Sequence, residues 1–129
     1  YVYGYSIDKM HITVFLFDGG RRVPAGPDNP SVVSEFATEI DATEKMAKTD
    51  GYTGFERPSV PSACTYGPIT FRCVVYSAAT RQGRVFSKLM MTGYRDHFLK
   101  VRIDWAQSLN QTSADADRAL RAFIPALVR

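Results

Sequence analysis

Three observations on the sequence predict an α+β domain, a twisted antiparallel β-sheet of five or six strands packed by two amphipathic helices. Two segments repeat apolar residues at helical spacing. Several others alternate or run apolar at strand length, and the last three are joined by connections too short for a parallel crossover. The chain has 129 residues, 45% of them apolar, 22% charged and 12% aromatic. That is the composition of one ordinary globular domain, 1–129, long enough to bury a core without metal or a lattice of disulfides.

The elements follow in chain order. Tyr1 to Ser6 and Met10 to Asp18 are rich in aromatic and β-branched residues, with Ile7, Asp8 and Lys9 between them, and read as a hairpin. Gly19 to Pro30 contains glycines, prolines and the pair Arg21 and Arg22, so it is a loop, long enough to be functional or mobile. It ends in Asn29 and Pro30, a good N-cap and first helical residue. From Ser31 to Lys48, Val33, Phe36, Ile40 and Ala47 form an apolar stripe, with Val32, Thr43 and Met46 beside it and Glu35, Glu39, Glu44 and Lys45 off it. Asp50 and Gly51 stop this helix. Tyr52 to Glu56 reads as a short strand, and Arg57 to Pro68, with its prolines, as irregular chain.

Thr70 to Ser77, Arg84 to Thr92 and His97 to Trp105 form a meander. In the last strand His97, Leu99, Val101, Ile103 and Trp105 share one face, and Phe98, Lys100, Arg102 and Asp104 the other. After Gln107 to Thr112, Ser113 reads as the N-cap of a second helix with Asp115 and Asp117 in its first turn, where the helix dipole favours them. Its stripe is Ala116, Leu120, Phe123, Ile124 and Leu127, and Pro125 kinks it or ends its regular part.

The net charge of +3 is unevenly spread. Residues 1–80 carry seven Lys or Arg against nine Asp or Glu, a balance of −2, and residues 81–129 carry nine against four, a balance of +5. This surplus suits an anionic partner or a solvated face kept for solubility. It falls short of the dense basic stripe of a nucleic-acid binder, so no nucleic-acid partner is expected. The longest apolar run, around Val14, Phe15 and Leu16, is far too short to span a bilayer. The sequence opens at Tyr1 already in a strand pattern. It reads as a mature or truncated product with a signal or extension ahead of it, and a membrane tether there is compatible with that reading.

Cys64 and Cys73 are nine positions apart across a segment containing Gly67 and Pro68, a hairpin-like spacing. A disulfide is the preferred reading, and it favours an oxidising compartment, periplasmic or secreted. The alternative is two thiols, with Cys73 a small core residue. With only His11 and His97, and no CxxC or HxxxH spacing, no metal or other cofactor is expected. Asp96 beside His97 resembles a polarised base, but successive strand residues diverge to opposite faces. Gly19 and Gly20 lack phosphate-loop spacing. Asn110, Gln111 and Thr112 form a glycosylation acceptor pattern, meaningful only in a eukaryotic secretory protein.

The site singled out by the residues is the wet sheet face. Lys100 and Arg102 stand two apart on one strand, Lys88 and Arg72 are expected to join them from neighbouring strands, and Phe98 supplies apolar contact. Four cations on one face hold an anionic small molecule or an acidic protein partner, or else they pair with Asp104 and nearby Glu side chains. Tyr1, Tyr3 and Tyr5 share a parity and either extend this surface or pack under a helix. The competing reading is a small thiol-dependent enzyme or hydrolase using Cys73 with His97 as its base.

The run Thr92, Gly93, Tyr94, Arg95, Asp96, His97, Phe98, Leu99, Lys100, Val101, Arg102 is similar to a stretch in small uncharacterised exported bacterial proteins. There, too, a turn leads into a Phe-Leu-Lys-x-Arg strand. The order of hairpin, long helix, antiparallel meander and terminal helix resembles the PsbP-type photosystem extrinsic subunits and their bacterial relatives. The resemblance implies a PsbP-like fold and a non-enzymatic binding or assembly role in an envelope or lumen. It carries over no calcium-binding or manganese-cluster residues, so photosynthetic function does not follow from it.

Overall fold

The computed structural model describes residues 1–49, 53–57 and 61–128. Seven strands form one antiparallel sheet: β1 (Val2–Ile7), β2 (Met10–Phe17), β3 (Thr53–Glu56), β4 (Ser62–Tyr66), β5 (Ile69–Thr80), β6 (Gly83–Tyr94) and β7 (His97–Ala106). Their order is β1-β2-β7-β6-β5-β3, and β4 also pairs with β5, so that β3 and β4 divide one edge of that long strand between them. Helix α1 (Pro30–Thr49) packs on one face of the sheet and α2 (Ser113–Leu127) on the other.

The α+β class is as the sequence predicts, with one strand more than the five or six expected. The seventh is β4, in the segment read as irregular. The prolines at 61 and 68 flank it, and its residues pair in register with β5 from Ser62 opposite Cys73 to Tyr66 opposite Ile69. Proline is tolerated at strand ends, where no ladder bond is lost. The strands of the meander also run longer than expected. Only Arg95 and Asp96 separate β6 from β7, and only Asp8 and Lys9 separate β1 from β2. Both pairs adopt positive φ, 49° and 67° in the first and 49° and 66° in the second. Two such residues make the tight turn whose twist matches that of the flanking strands.

Asn29 and Pro30 start α1 as the sequence suggests: the Asn29 side-chain oxygen accepts from the Val32 amide at 3.0 Å. The helix's buried line runs through Val32, Phe36 and Ala47, with Ile40 partly buried, whereas Val33, expected on the stripe, is exposed. The spacing of 32, 36, 40, 43 and 47 is equally helical, and one residue of rotation separates the two readings. The stop expected at Asp50 and Gly51, and Tyr52 at the start of the short strand, lie outside the described residues. In α2 the cap is Thr112 rather than Ser113. Thr112 and Asp115 satisfy each other's backbone amides in a capping box. Pro125 falls in the helix's last turns, two residues before its end.

The long loop after β2 is pinned. Val23 is fully buried and its amide donates to the Asp96 carbonyl at 3.0 Å, while Gly26 and Gly93 exchange backbone hydrogen bonds of 3.0 Å. Gly93 lies so close under this loop that a side chain there would run into the Pro24 carbonyl. Arg72 holds the far end, donating to the Pro27 carbonyl at 2.7 Å and reaching Asp28 at 3.3 Å.

Candidate functional site

Register decides which predicted residues meet. Residues directly opposite one another in antiparallel strands put their side chains on one face. Arg72 is opposite Met91, and Met91 opposite Lys100, so Arg72 does share the face of Lys100 and Arg102. Lys88 does not. It is opposite Ile103 and belongs to the α2 face, which corrects its place in the expected cluster. The cause lies in the turn: a two-residue connection pairs even-numbered with odd-numbered positions, so Lys88 and Lys100 fall on opposite faces. Phe98 lies on the expected face but is buried at 2% exposure, packed with Phe17 and with Arg21 above it, and offers no open contact. Tyr3 and Tyr5, opposite Val14 and Ile12, are on the α2 side, where Tyr5 meets the Phe123 ring at 4.9 Å.

The face carrying Lys100 and Arg102 lies under α1 and is only partly covered by it. Phe36 and Ile40 fill the space over Val74, Leu89 and Met91, whereas further on Ala42, Thr43, Met46 and the buried Ala47 border a cleft. The cleft, about 510 Å³, lies between the second half of α1 and the sheet. Phe15, Leu89, Phe55 and Tyr76 line its apolar parts, and Lys100, Arg102, Asp104 and Glu39 supply its charges. The Lys100 ammonium donates to Glu39 at 3.0 Å and lies 4.1 Å from the centre of the Phe15 ring. Arg102, half exposed, has a looser partner, Asp104 at 3.8 Å. Tyr76 stacks on Phe55 with ring centres 5.6 Å apart. Burial, and then the carboxylates of Glu44 and Glu39, push its phenol up to about 12.

Opposite, Lys88 helps tie α2 to the sheet. It donates to the Tyr66 hydroxyl at 2.7 Å, and Tyr66 donates to Asp117 at 2.6 Å. Arg121 completes the Asp117 carboxylate at 2.9 Å. Burial pushes the Tyr66 phenol up and the Lys88 ammonium down, while the hydrogen bond from Tyr66 and then Arg121 hold Asp117 below the ordinary carboxylate value. A second hollow, about 640 Å³, lies beside the Gln107–Leu109 turn where Phe86 and Trp105 stack, and no charged residue lines it.

Cys64 and Cys73 form a disulfide from β4 to β5, their Cα atoms 6.1 Å apart. Cys73 is opposite Met90 and Met90 opposite Val101, so Cys73 stands two strands and four residues from His97, about 16 Å by sheet spacing. The structure does not bring the two together: His97 faces the Arg95 carbonyl at 2.8 Å and Asp18 at 3.6 Å. Among the described residues, no helix is long and apolar enough to cross a membrane, and no three His, Cys, Asp or Glu side chains converge as a metal site.

Sequence reasoning missed Glu39, Tyr76, Phe15 and Phe55. The available signal was Ala42, Thr43 and Ala47 in the second half of α1, together with a strand β7 that alternates apolar and charged residues. Compared with known proteins, the sequence matches no family model and no curated protein.

Proposed function

We propose that this chain is a non-catalytic exported domain that binds an anionic small molecule in the cleft between α1 and the sheet. The observation that carries the reading is the cleft, whose mainly apolar lining bears Lys100 and Arg102 beside the carboxylates of Glu39 and Asp104. Small-molecule sites have this form: volumes of about 300–1,000 Å³, apolar walls and a few convergent polar groups. The Arg102 guanidinium is a planar fork suited to a carboxylate or phosphate, and its looser partner leaves it available. Lys100 is already shared with Glu39, so an incoming anion competes with that carboxylate. Arg72 is engaged by the Pro27 and Asp28 loop and takes no part. Of the two partners the sequence suggests, a protein or a small anion, an inset cleft fits the second. The disulfide supports an oxidising location, periplasmic or secreted.

Calorimetric titration with decanoate, and with decyltrimethylammonium as its cationic counterpart, tests the reading. The expected result is saturable binding of decanoate with one site, at least tenfold weaker binding of the cation, and about tenfold loss of decanoate affinity in Arg102→Gln at unchanged thermal midpoint. Equal affinity for the two amphiphiles, or no binding of decanoate, contradicts it.

A further inference from the structure

The hollow beside the Gln107–Leu109 turn lies on the sheet face away from the anion cleft, and its volume, about 640 Å³, is within the range of small-molecule sites. Its floor is aromatic. Phe86 is opposite Trp105, and the two rings stack with centres 5.5 Å apart and planes 8° from parallel. Trp105 is buried, so the half-buried Phe86 is the ring that the hollow offers. The wall is polar and, among the described residues, uncharged. Part of it is committed to the fold. The Gln111 carboxamide accepts from the Ala106 amide and donates to the Asp8 carbonyl, both at 2.9 Å. The Gln107 side-chain oxygen accepts from the Arg84 amide at 3.4 Å, and the Asn110 backbone amide closes the turn on the Gln107 carbonyl at 2.9 Å. Three groups remain: the Asn110 carboxamide, Nε2 of Gln107 and the Ser113 hydroxyl. All three residues are exposed, and none of these groups has a hydrogen-bond partner among the described residues.

This lining selects by chemistry. An ion finds no counter-charge in it, and a purely apolar ligand strips water from the carboxamides and the hydroxyl without replacing the lost hydrogen bonds. Carboxamides and hydroxyls both donate and accept, which suits a ligand whose own polar groups are hydroxyls. An aromatic ring suits a ligand that also has a flat C–H face. A pyranose combines the two. We infer that the hollow is a second binding site, for a neutral sugar, with one pyranose ring seated on Phe86 and its hydroxyls shared among Asn110, Gln107 and Ser113. The site is independent of the anion cleft, with which it shares neither Lys100 nor Arg102.

Trp105 is the only tryptophan of the chain and lines this hollow, so its fluorescence reports from the site. The test titrates the methyl glycosides of glucose, galactose, mannose and N-acetylglucosamine into the millimolar range, and saturation-transfer NMR on the same sugars reads any binding that leaves the emission unchanged. The expected result is saturable binding of at least one of them, insensitive to added salt. Asn110→Gly removes the carboxamide and accepts the left-handed φ of 56°. It should weaken binding about fivefold. Phe86→Leu keeps apolar bulk without the ring and should weaken binding about tenfold. Arg102→Gln, in the other site, should leave sugar binding unchanged. No binding of any of the four glycosides would overturn the inference, and so would binding that both Asn110→Gly and Phe86→Leu retain in full. Loss of sugar binding in Arg102→Gln would move the sugar to the anion cleft, and a Trp105 response to decanoate alone would give the hollow to an apolar chain; either result overturns the sugar site.

Discussion

The two faces of the sheet are covered by helices of similar amphipathic design, yet they are completed differently. Under α2, Leu120 and Ile124 are fully buried against Met90, Val101 and Ile103, and the polar groups beside them close on one another through Lys88, Tyr66, Asp117 and Arg121. Under α1, Val32 and Phe36 are buried in the same way, but the second half of the helix borders a cleft whose floor carries charge. A large side chain at each turn holds a helix down along its length. Replacing them by alanine and threonine over half its length keeps the helix attached and leaves space beneath it. One face thus carries the larger buried cluster, and the other the proposed site.

Core truncations sharpen this contrast most strongly. Leu120→Ala should cost about 3 kcal/mol, the transfer term plus a cavity that the packed α2 face cannot close. Met46→Ala, at a position 60% exposed on the open half of α1, should change stability by less than about 0.5 kcal/mol. Chemical denaturation of the two variants measures both. A comparable loss at both positions would break the comparison.

Acid should also separate the faces. Asp117 has its native pKa depressed, first by the Tyr66 hydrogen bond. The stability it contributes is therefore fully present above the ordinary carboxylate value and lost as pH falls through the depressed one. Glu35 on α1 has its native pKa raised, first by burial and then by Glu39. Its contribution has the opposite sign, present at low pH and lost as pH rises through the raised value. Thermal midpoints followed downward from pH 6 should fall less steeply in Asp117→Asn than in the wild type, and more steeply in Glu35→Gln. Identical slopes in all three proteins would remove the electrostatic part of the contrast.

A smaller effect is expected at the Lys100 and Glu39 pair. Its side chains are only partly exposed, at 15% and 24%, but it competes with the proposed ligand. Glu39→Gln should therefore bind decanoate about threefold more tightly, at a stability cost of about 1 kcal/mol or less. Weaker binding in this variant would mean that Glu39 helps the anion rather than opposing it.

Much of the fold was legible from the residues. Asn29 and Pro30 marked the start of α1, short connections forced the meander to be antiparallel, and the spacing of Cys64 and Cys73 suggested the disulfide. The strand β4 was not legible, because its flanking prolines carry the signature of irregular chain and only pairing with β5 shows otherwise. Half of the site was visible in the alternation of Phe98, Lys100, Arg102 and Asp104. Separating Lys88 from them needed only the parity of the β6–β7 connection, which a two- or four-residue turn already determines. The cleft was invisible for a different reason. It arises between elements distant in sequence, the second half of α1 and the sheet face carrying Lys100 and Arg102, and no single segment encodes it.

The most direct test of the central claim is a methyl NMR titration with decanoate that follows Leu89 and Ala47 on one face and Leu120 and Ile124 on the other. Saturable shifts confined to Leu89 and Ala47, with Leu120 and Ile124 unmoved, are the predicted result. Shifts at Leu120 and Ile124 as large as those at Leu89, or no shift at Leu89 at all, would contradict a ligand site under α1.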